Sequence, residues 1–153
     1  MNIAVVGAGG AGAVFSMILS KNGHTVTILA PDAEQAKNLS ETHVSPWLKD
    51  LTLPQDIEYT ADPAVVTGKD MVVFACPSFA MRQECQTVAP YLSEESILVS
   101  VVKGIEADTN LTMTEIIAEV TGYNAAVLSG PIHTVELAKG LPSGCVVASS
   151  NVR

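Results

Sequence analysis

Positive charge is scarce in this sequence. Lysines and arginines number 8 against 16 aspartates and glutamates, a net charge of −8, and the basic residues are scattered. That excludes the basic face of a nucleic-acid binder and the polybasic patch of a protein held on an anionic membrane. Cysteine is equally sparse. Cys76, Cys85 and Cys145 are odd in number and show no C-x-x-C spacing. They read as buried free thiols in a reducing cytoplasm rather than a disulfide framework. His24, His43 and His133 lie apart without ligand spacing, so no metal is expected. No apolar run suits a transmembrane helix. The N-terminal stretch lacks a basic leader and is broken by glycines, which argues against a signal peptide. Repeats, low-complexity tracts and flexible linkers are also missing. A chain of 153 residues, 48% apolar and only 16% charged, fits one domain with a well-covered core.

What the sequence does have begins at its first residues. Met1–Val6 is an apolar strand pattern running without a charge into Gly7-Ala8-Gly9-Gly10-Ala11-Gly12, a G-x-G-x-x-G motif, followed by the amphipathic run Ala13–Lys21. Each glycine has its own task. Gly7 turns the chain off the strand, Gly9 lets a pyrophosphate reach the backbone, and Gly12 lets the helix press against the sheet. The helix that follows points its free N–H groups and positive dipole end at the phosphates. The loop as a whole, Gly10 and Ala11 included, is the expected dinucleotide cradle.

Short β-branched runs at Ile3–Val6, Val26–Leu29, Met71–Ala75, Ile97–Val101, Ala125–Leu128 and Cys145–Ala148 read as buried strands. Helical patterns over Gly12–Lys21, Ala33–Ser40, Phe79–Ala89, Thr109–Glu119 and Thr134–Lys139 alternate with them. The region Glu41–Tyr59, with Pro46, Trp47 and Pro54, reads as a loop with a short strand before Asp62-Pro63. Apolar strands alternating with helices predict an α/β, Rossmann-type doubly wound fold. Its sheet is mostly parallel, with helices on both faces.

Ligands in such sheets sit beyond the carboxyl ends of the strands, which directs attention to the residues just after each run. Asp32 stands about 20 residues past the glycines, where an acid accepts from a ribose 2′-OH and repels a 2′-phosphate. It equally suits the N-cap of the helix from Ala33. No arginine is nearby, which favours NAD over NADP. Pro77 fixes the loop after Cys76, Ser78 can cap the next helix, and Phe79 can lie near a nicotinamide or pack in the core. Lys103-Gly104 puts an ammonium at a strand mouth, in reach of a substrate oxygen or of solvent. His133 has no visible partner and reads as a helix-end or surface residue.

In this order the landmarks resemble the N-terminal domain of bacterial-type NAD(P)-dependent sn-glycerol-3-phosphate dehydrogenase. The resemblance rests on Gly7–Gly12, Asn22-Gly23-His24, Cys76-Pro77-Ser78, Lys103-Gly104-Ile105-Glu106, Leu128-Ser129-Gly130-Pro131 and Glu136–Pro142. It implies an oxidoreductase of glycerophospholipid metabolism that interconverts dihydroxyacetone phosphate and glycerol 3-phosphate by hydride transfer with NAD or NADP. Lys103 would touch cofactor and substrate, Gly130 and Ile132 would lie by the substrate, and Thr134 would contact the dinucleotide. Residues 1–153 would form the cofactor domain. A helical C-terminal domain, absent from this chain, would supply the proton-transferring lysine, and the full-length enzyme could be a homodimer. Four positions depart from the family pattern. Ala11 stands where an aromatic is usual, Pro31 where a basic residue is frequent, Ile132 for a small polar residue and Thr134 for an alanine. The opening residues alone would also suit a ketopantoate-reductase-like or opine-dehydrogenase-like enzyme, or a stand-alone dinucleotide-binding module.

Overall fold

The computed structural model describes residues 1–48 and 51–150. Its strands are β1 (Asn2–Val6), β2 (Thr25–Leu29), β3 (Glu58–Thr60), β4 (Met71–Phe74), β5 (Ile97–Ser100), β6 (Ala125–Ser129) and β7 (Val146–Ala148). The helices are α1 (Gly10–Lys21), α2 (Ala33–Thr42), α3 (Met81–Val88), α4 (Met113–Thr121) and α5 (Thr134–Ala138). Among the described residues the strands form one sheet of order β3-β2-β1-β4-β5-β6-β7. Every pairing is parallel except β6 with β7. The strand order reverses between β1 and β4, so the chain leaves the sheet in opposite directions there and opens a crevice at the carboxyl edge.

Successive side chains of a strand point to opposite faces, and β1 uses both. Ile3 and Val5 pack with Ala13, Val14 and Met17 of α1 and with Leu39 of α2. Ala4 and Val6 pack on the other face with Met81, Cys85 and Val88 of α3 and Ile116 and Ile117 of α4. A strand buried on both faces must be apolar throughout, which is why Ile3–Val6 shows no alternation.

The close packing of α1 on the sheet is set by two glycines. Gly7 has φ +112, and a Cβ there would lie 2.8 Å from the Cys76 amide nitrogen. A Cβ on Gly12 would lie 1.9 Å from the Gly7 carbonyl oxygen. Backbone faces backbone at this crossing, so no side chain can move aside to make room.

Several boundaries differ from the sequence pattern. The periodicity predicts a helix from Thr109, but Asn110 has φ 60. The Thr112–Glu115 capping box then delays α4 to Met113, and Gly122 ends it in the left-handed region. The helix expected over Phe79–Ala89 shortens to α3 between 3-10 turns at Ser78–Ala80 and Ala89–Tyr91, the second containing Pro90. Cys145 is neither buried nor in a strand: β7 starts at Val146 and the thiol is exposed. As an antiparallel edge strand, β7 is not covered on both faces, so its apolar sequence does not mean burial. Residues 151–153, where the pattern ends, lie outside the described residues.

Gly12→Ala should lower stability by about 3 kcal/mol, the upper end for an overpacked site with no room to relax. Gly9, with no atom within 4 Å of its would-be Cβ, should cost no more than about 1 kcal/mol as alanine, the loss of a favourable N-cap. Urea denaturation of the two variants reads the difference; equal losses would show that the close crossing is not a constraint.

Candidate functional site

Parallel strands end on the same edge, so the loops after β1, β4, β5 and β6 meet there. Between them lies a cavity of about 350 Å³. Ala11 and Phe15 come from α1, Pro77 from the loop after β4, Lys103 from the loop after β5, and Ile132 and Thr134 from the loop after β6. A second cavity of about 460 Å³ opens next to it, lined by Gly104, Thr112, Ser129 and Gly130. Val102 and Lys103 border both. Lys103 Nζ donates to the Ile132 carbonyl oxygen at 3.1 Å, which anchors this exposed lysine between the two spaces.

The glycine loop leaves backbone donors unpaired at the start of α1. Gly9 caps α1 with extended backbone and no side-chain hydrogen bond, and the first turn of α1 carries no acid. The amides of Gly10, Ala11 and Gly12 precede the first intrahelical bond, from the Ala13 N–H to the Gly9 carbonyl. Open space over Gly9 leaves room for a phosphate against the backbone. Among the described residues no carboxylate lines the first cavity, whereas Lys103 does. An acidic chain thus places a positive charge on this wall.

Trp47 was not singled out as a site residue from sequence. Its Cβ lies 3.5 Å from where a Cβ on Gly10 would stand, with Thr134 Oγ1 at 3.9 Å. The ring is 70% exposed. A lone tryptophan in a polar loop was the only signal available for it. His133 is the N-cap residue of α5 and exposed, as its helix-end reading has it, yet it also lines the first cavity.

Other expectations divide. Asp32 caps α2, its Oδ1 accepting from the Gln35 N–H at 2.7 Å, so the capping role is real and leaves the ribose role open. Phe79 is 90% exposed and is therefore not a core residue. Pro77 and Ser78 line the first cavity, but Phe79 is not on its wall. Burial pushes the Cys76 thiol up to about 12, with the Glu84 charge adding to the effect. A group so raised is a neutral thiol at pH 7 and no nucleophile. Among the described residues, no helix is long and apolar enough to cross a membrane.

Comparison with known proteins gives a consistent picture. A family profile described as NAD-dependent glycerol-3-phosphate dehydrogenase N-terminus matches residues 2–153. The glycerol-3-phosphate dehydrogenase [NAD(P)+] of Fusobacterium nucleatum is 38% identical over 156 aligned positions, covering 99% of this chain and 47% of that protein. That of Syntrophotalea carbinolica is 39% identical, again covering 99% and 47%. The chain spans about half the length of the curated relatives it matches. A crystal structure of glycerol-3-phosphate dehydrogenase from Coxiella burnetii superposes with TM-score 0.90 at 24% identity, covering 98% of this chain and 47% of that one. A ketopantoate reductase structure from Ralstonia eutropha reaches 0.69 at 20% identity, over 84% and 41%.

The three free thiols should separate by burial. Burial also lifts Cys85 to about 12, so both it and Cys76 should resist iodoacetamide in the native protein at pH 8. Cys145 should be alkylated, and urea should open all three. Intact-mass spectrometry reads the adduct count; rapid native labelling of Cys76 would contradict the burial.

Proposed function

Because the chain belongs to the family of NAD-dependent glycerol-3-phosphate dehydrogenase N-terminal domains, we propose that it is the dinucleotide-binding half of an NAD(P)-dependent oxidoreductase. The enzyme interconverts glycerol 3-phosphate and dihydroxyacetone phosphate. The observation that carries this reading is the open, acid-free glycine loop at the β1–β4 switch point, beside a cavity bordered by Lys103. A cavity of about 350 Å³ is within the range that small-molecule sites occupy.

Gly7, Gly9, Gly10, Ala11 and Gly12 cradle the pyrophosphate through backbone N–H groups and the α1 dipole. Trp47 and Thr134 flank the outer side of that loop. Pro77 and Val102 border the nicotinamide end. When bound, the cofactor supplies or accepts a hydride at its nicotinamide ring. The chain's own contribution is to hold the partners in order. Lys103 faces both cavities, so its ammonium can donate to the cofactor side and to the substrate oxygen on the other. Gly130 borders the substrate, and Ile132, on the wall of the first cavity, holds Lys103 beside it through its carbonyl. A phosphorylated three-carbon substrate suits the second cavity, whose walls carry the hydroxyls of Thr112 and Ser129. The helical domain that completes proton transfer lies outside this chain. Free thiols at Cys76, Cys85 and Cys145 suit work in a reducing cytoplasm.

NADH should bind more tightly than NADPH, because Asp32 accepts from a 2′-OH and repels a 2′-phosphate. Asp32→Asn keeps the cap oxygen and removes the charge, so NADPH should gain on NADH with stability unchanged. Isothermal titration of the chain with each dinucleotide measures this, and absence of binding to either would overturn the reading. In the full-length protein, Lys103→Ala should cut turnover by roughly 100-fold, as misplacing a reacting group can. Dinucleotide affinity should stay within a few-fold; undiminished turnover would remove Lys103 from the mechanism.

A further inference from the structure

After β5 the chain runs from Val101 to Leu111 without regular structure, and this loop carries Lys103. Its own hydrogen bonds are few. The Glu106 N–H donates to the Leu111 carbonyl at 2.9 Å, the Asn110 N–H donates to the Glu106 carbonyl at 2.9 Å, and Ile105 bridges Thr112. These bonds close the far limb on itself; at the near end the Val101 N–H donates to the Phe74 carbonyl of β4 at 3.0 Å, but none of them ties the limb beyond Lys103 to the sheet.

The tie comes from another element. Arg82, in the first turn of α3, donates from Nε to Glu106 Oε1 at 2.7 Å and from Nη2 to Glu106 Oε2 at 2.7 Å. Its remaining fork, Nη1, donates to Glu119 Oε1 on α4, also at 2.7 Å. The Thr109 hydroxyl donates to the same Glu106 carboxylate. The Arg82 and Glu106 side chains are only 28% and 20% exposed, so this fork is better shielded than an ordinary surface pair. A second contact lies between it and the lysine. A Cβ on Gly104 would stand 2.9 Å from Ser78 Cβ, so the loop leans on the segment that leads into α3. Gly104 and Glu106 are thus both held from the β4–α3 side, directly after Lys103. Arg82 and Arg153 are the only arginines in the sequence, and the one in the described structure is committed to this grip.

We propose that Arg82 is a positioning residue for Lys103: by gripping Glu106 with both prongs of its guanidinium, it fixes the loop that holds the lysine between the cofactor and substrate cavities. The functional half of this statement rests on the dehydrogenase reading above; the structural half does not. On its near side Lys103 is held by the Val101 N–H bond to the Phe74 carbonyl; on its far side it would otherwise hang on a glycine pivot with φ +140 at position 104 and on its own bond to Ile132. The hydrogen bonds from Arg82 hold the Glu106 carboxyl down at about 2. A carboxylate with a lowered value keeps its partner above its ordinary range. It would lose that contribution only as the pH falls from about 4.5 toward 2. The grip therefore does not change across any neutral assay range, and the effect of removing it should be flat from pH 6 to 9.

The test uses the full chain with lysines reductively dimethylated with a ¹³C label, the Lys103 methyl resonance being identified by its loss in Lys103→Ala. Arg82→Gln and Glu106→Gln should both move that resonance toward free dimethyl-lysine and sharpen it. Glu119→Gln should leave it in place, and Arg82→Lys should recover part of the shift. In the full-length enzyme, Arg82→Gln should lower turnover by roughly 10- to 100-fold, the scale of a misplaced reacting group, with NADH affinity within a few-fold. Added to Lys103→Ala it should cost nothing further, because both changes would remove the same contact. An unmoved Lys103 resonance in a cooperatively melting Arg82→Gln protein overturns the proposal, as do fully additive losses in the double variant. Should Lys103→Ala itself leave turnover intact, it is the dehydrogenase role of the lysine that fails, while the resonance still decides whether Arg82 holds the loop.

Discussion

Where Gly12 crosses Gly7, the chain leaves no room for a single carbon atom, and the ligand edge is arranged around that closeness. The Gly12 position lies against a backbone carbonyl, so α1 starts directly over the end of β1 rather than one side-chain layer away. Its unpaired amides then face the crevice that the reversal of strand order opens between β1 and β4. Parallel pairing brings the loops after β4, β5 and β6 to the same edge. If α1 were displaced outward, Ala11 and Phe15 would leave the cavity wall, and the remaining loops would border an open groove.

Charge is the second constraint. A chain of net charge −8 repels a pyrophosphate at long range, so attraction has to come from groups within a few ångströms, where it exceeds the general field. Among the described residues, acids are accordingly kept off the first turn of α1 and off the cavity wall. Cations are used sparingly: Lys103 faces the site, and Arg82 is spent holding the loop that presents it. Glu106 and Glu119 between them take every prong of that guanidinium, so Arg82 adds no free positive charge to the cavity.

What could be read from sequence follows from how local each feature is. The glycine loop was legible because strand, turn and helix start lie within a dozen residues, and Gly7 and Gly12 each answer to a nearby backbone atom. The mostly parallel, doubly wound sheet followed from the alternation of apolar runs with helices, whereas the order of its strands is seen only in the structure. Trp47 was not legible as a site residue, since only the tertiary path of the loop after α2 brings it to Gly10. The Arg82–Glu106 grip spans 24 positions, and nothing in either local segment marks the other as its partner. The core reading of Phe79 fails for a related reason. An aromatic after a buried strand usually packs inward, but the 3-10 turn at Ser78–Ala80 carries this one out to solvent. Asp32 remained double-valued because one carboxylate can cap a helix and still meet a ribose.

The departures from the family pattern at Ala11, Ile132 and Thr134 become less disruptive once the geometry is in view. Lys103 is anchored on the Ile132 backbone carbonyl, a contact that does not depend on the side chain at that position. Exchanging a polar residue for isoleucine there changes the polarity of the wall without releasing the lysine. Ala11 gives up an aromatic beside the glycine loop, but Trp47 reaches the same loop from α2's side, and Thr134 brings a hydroxyl toward Gly10 where an alanine would bring none. Two other segments thus bring side chains close to Gly10 at the start of the helix. Pro31 is a departure of another kind: in the sequence no basic residue adjoins Asp32. On the proposed reading, that departure bears on the recognition of a 2′-phosphate and not on the glycine loop, whose backbone donors are independent of the residue at position 31.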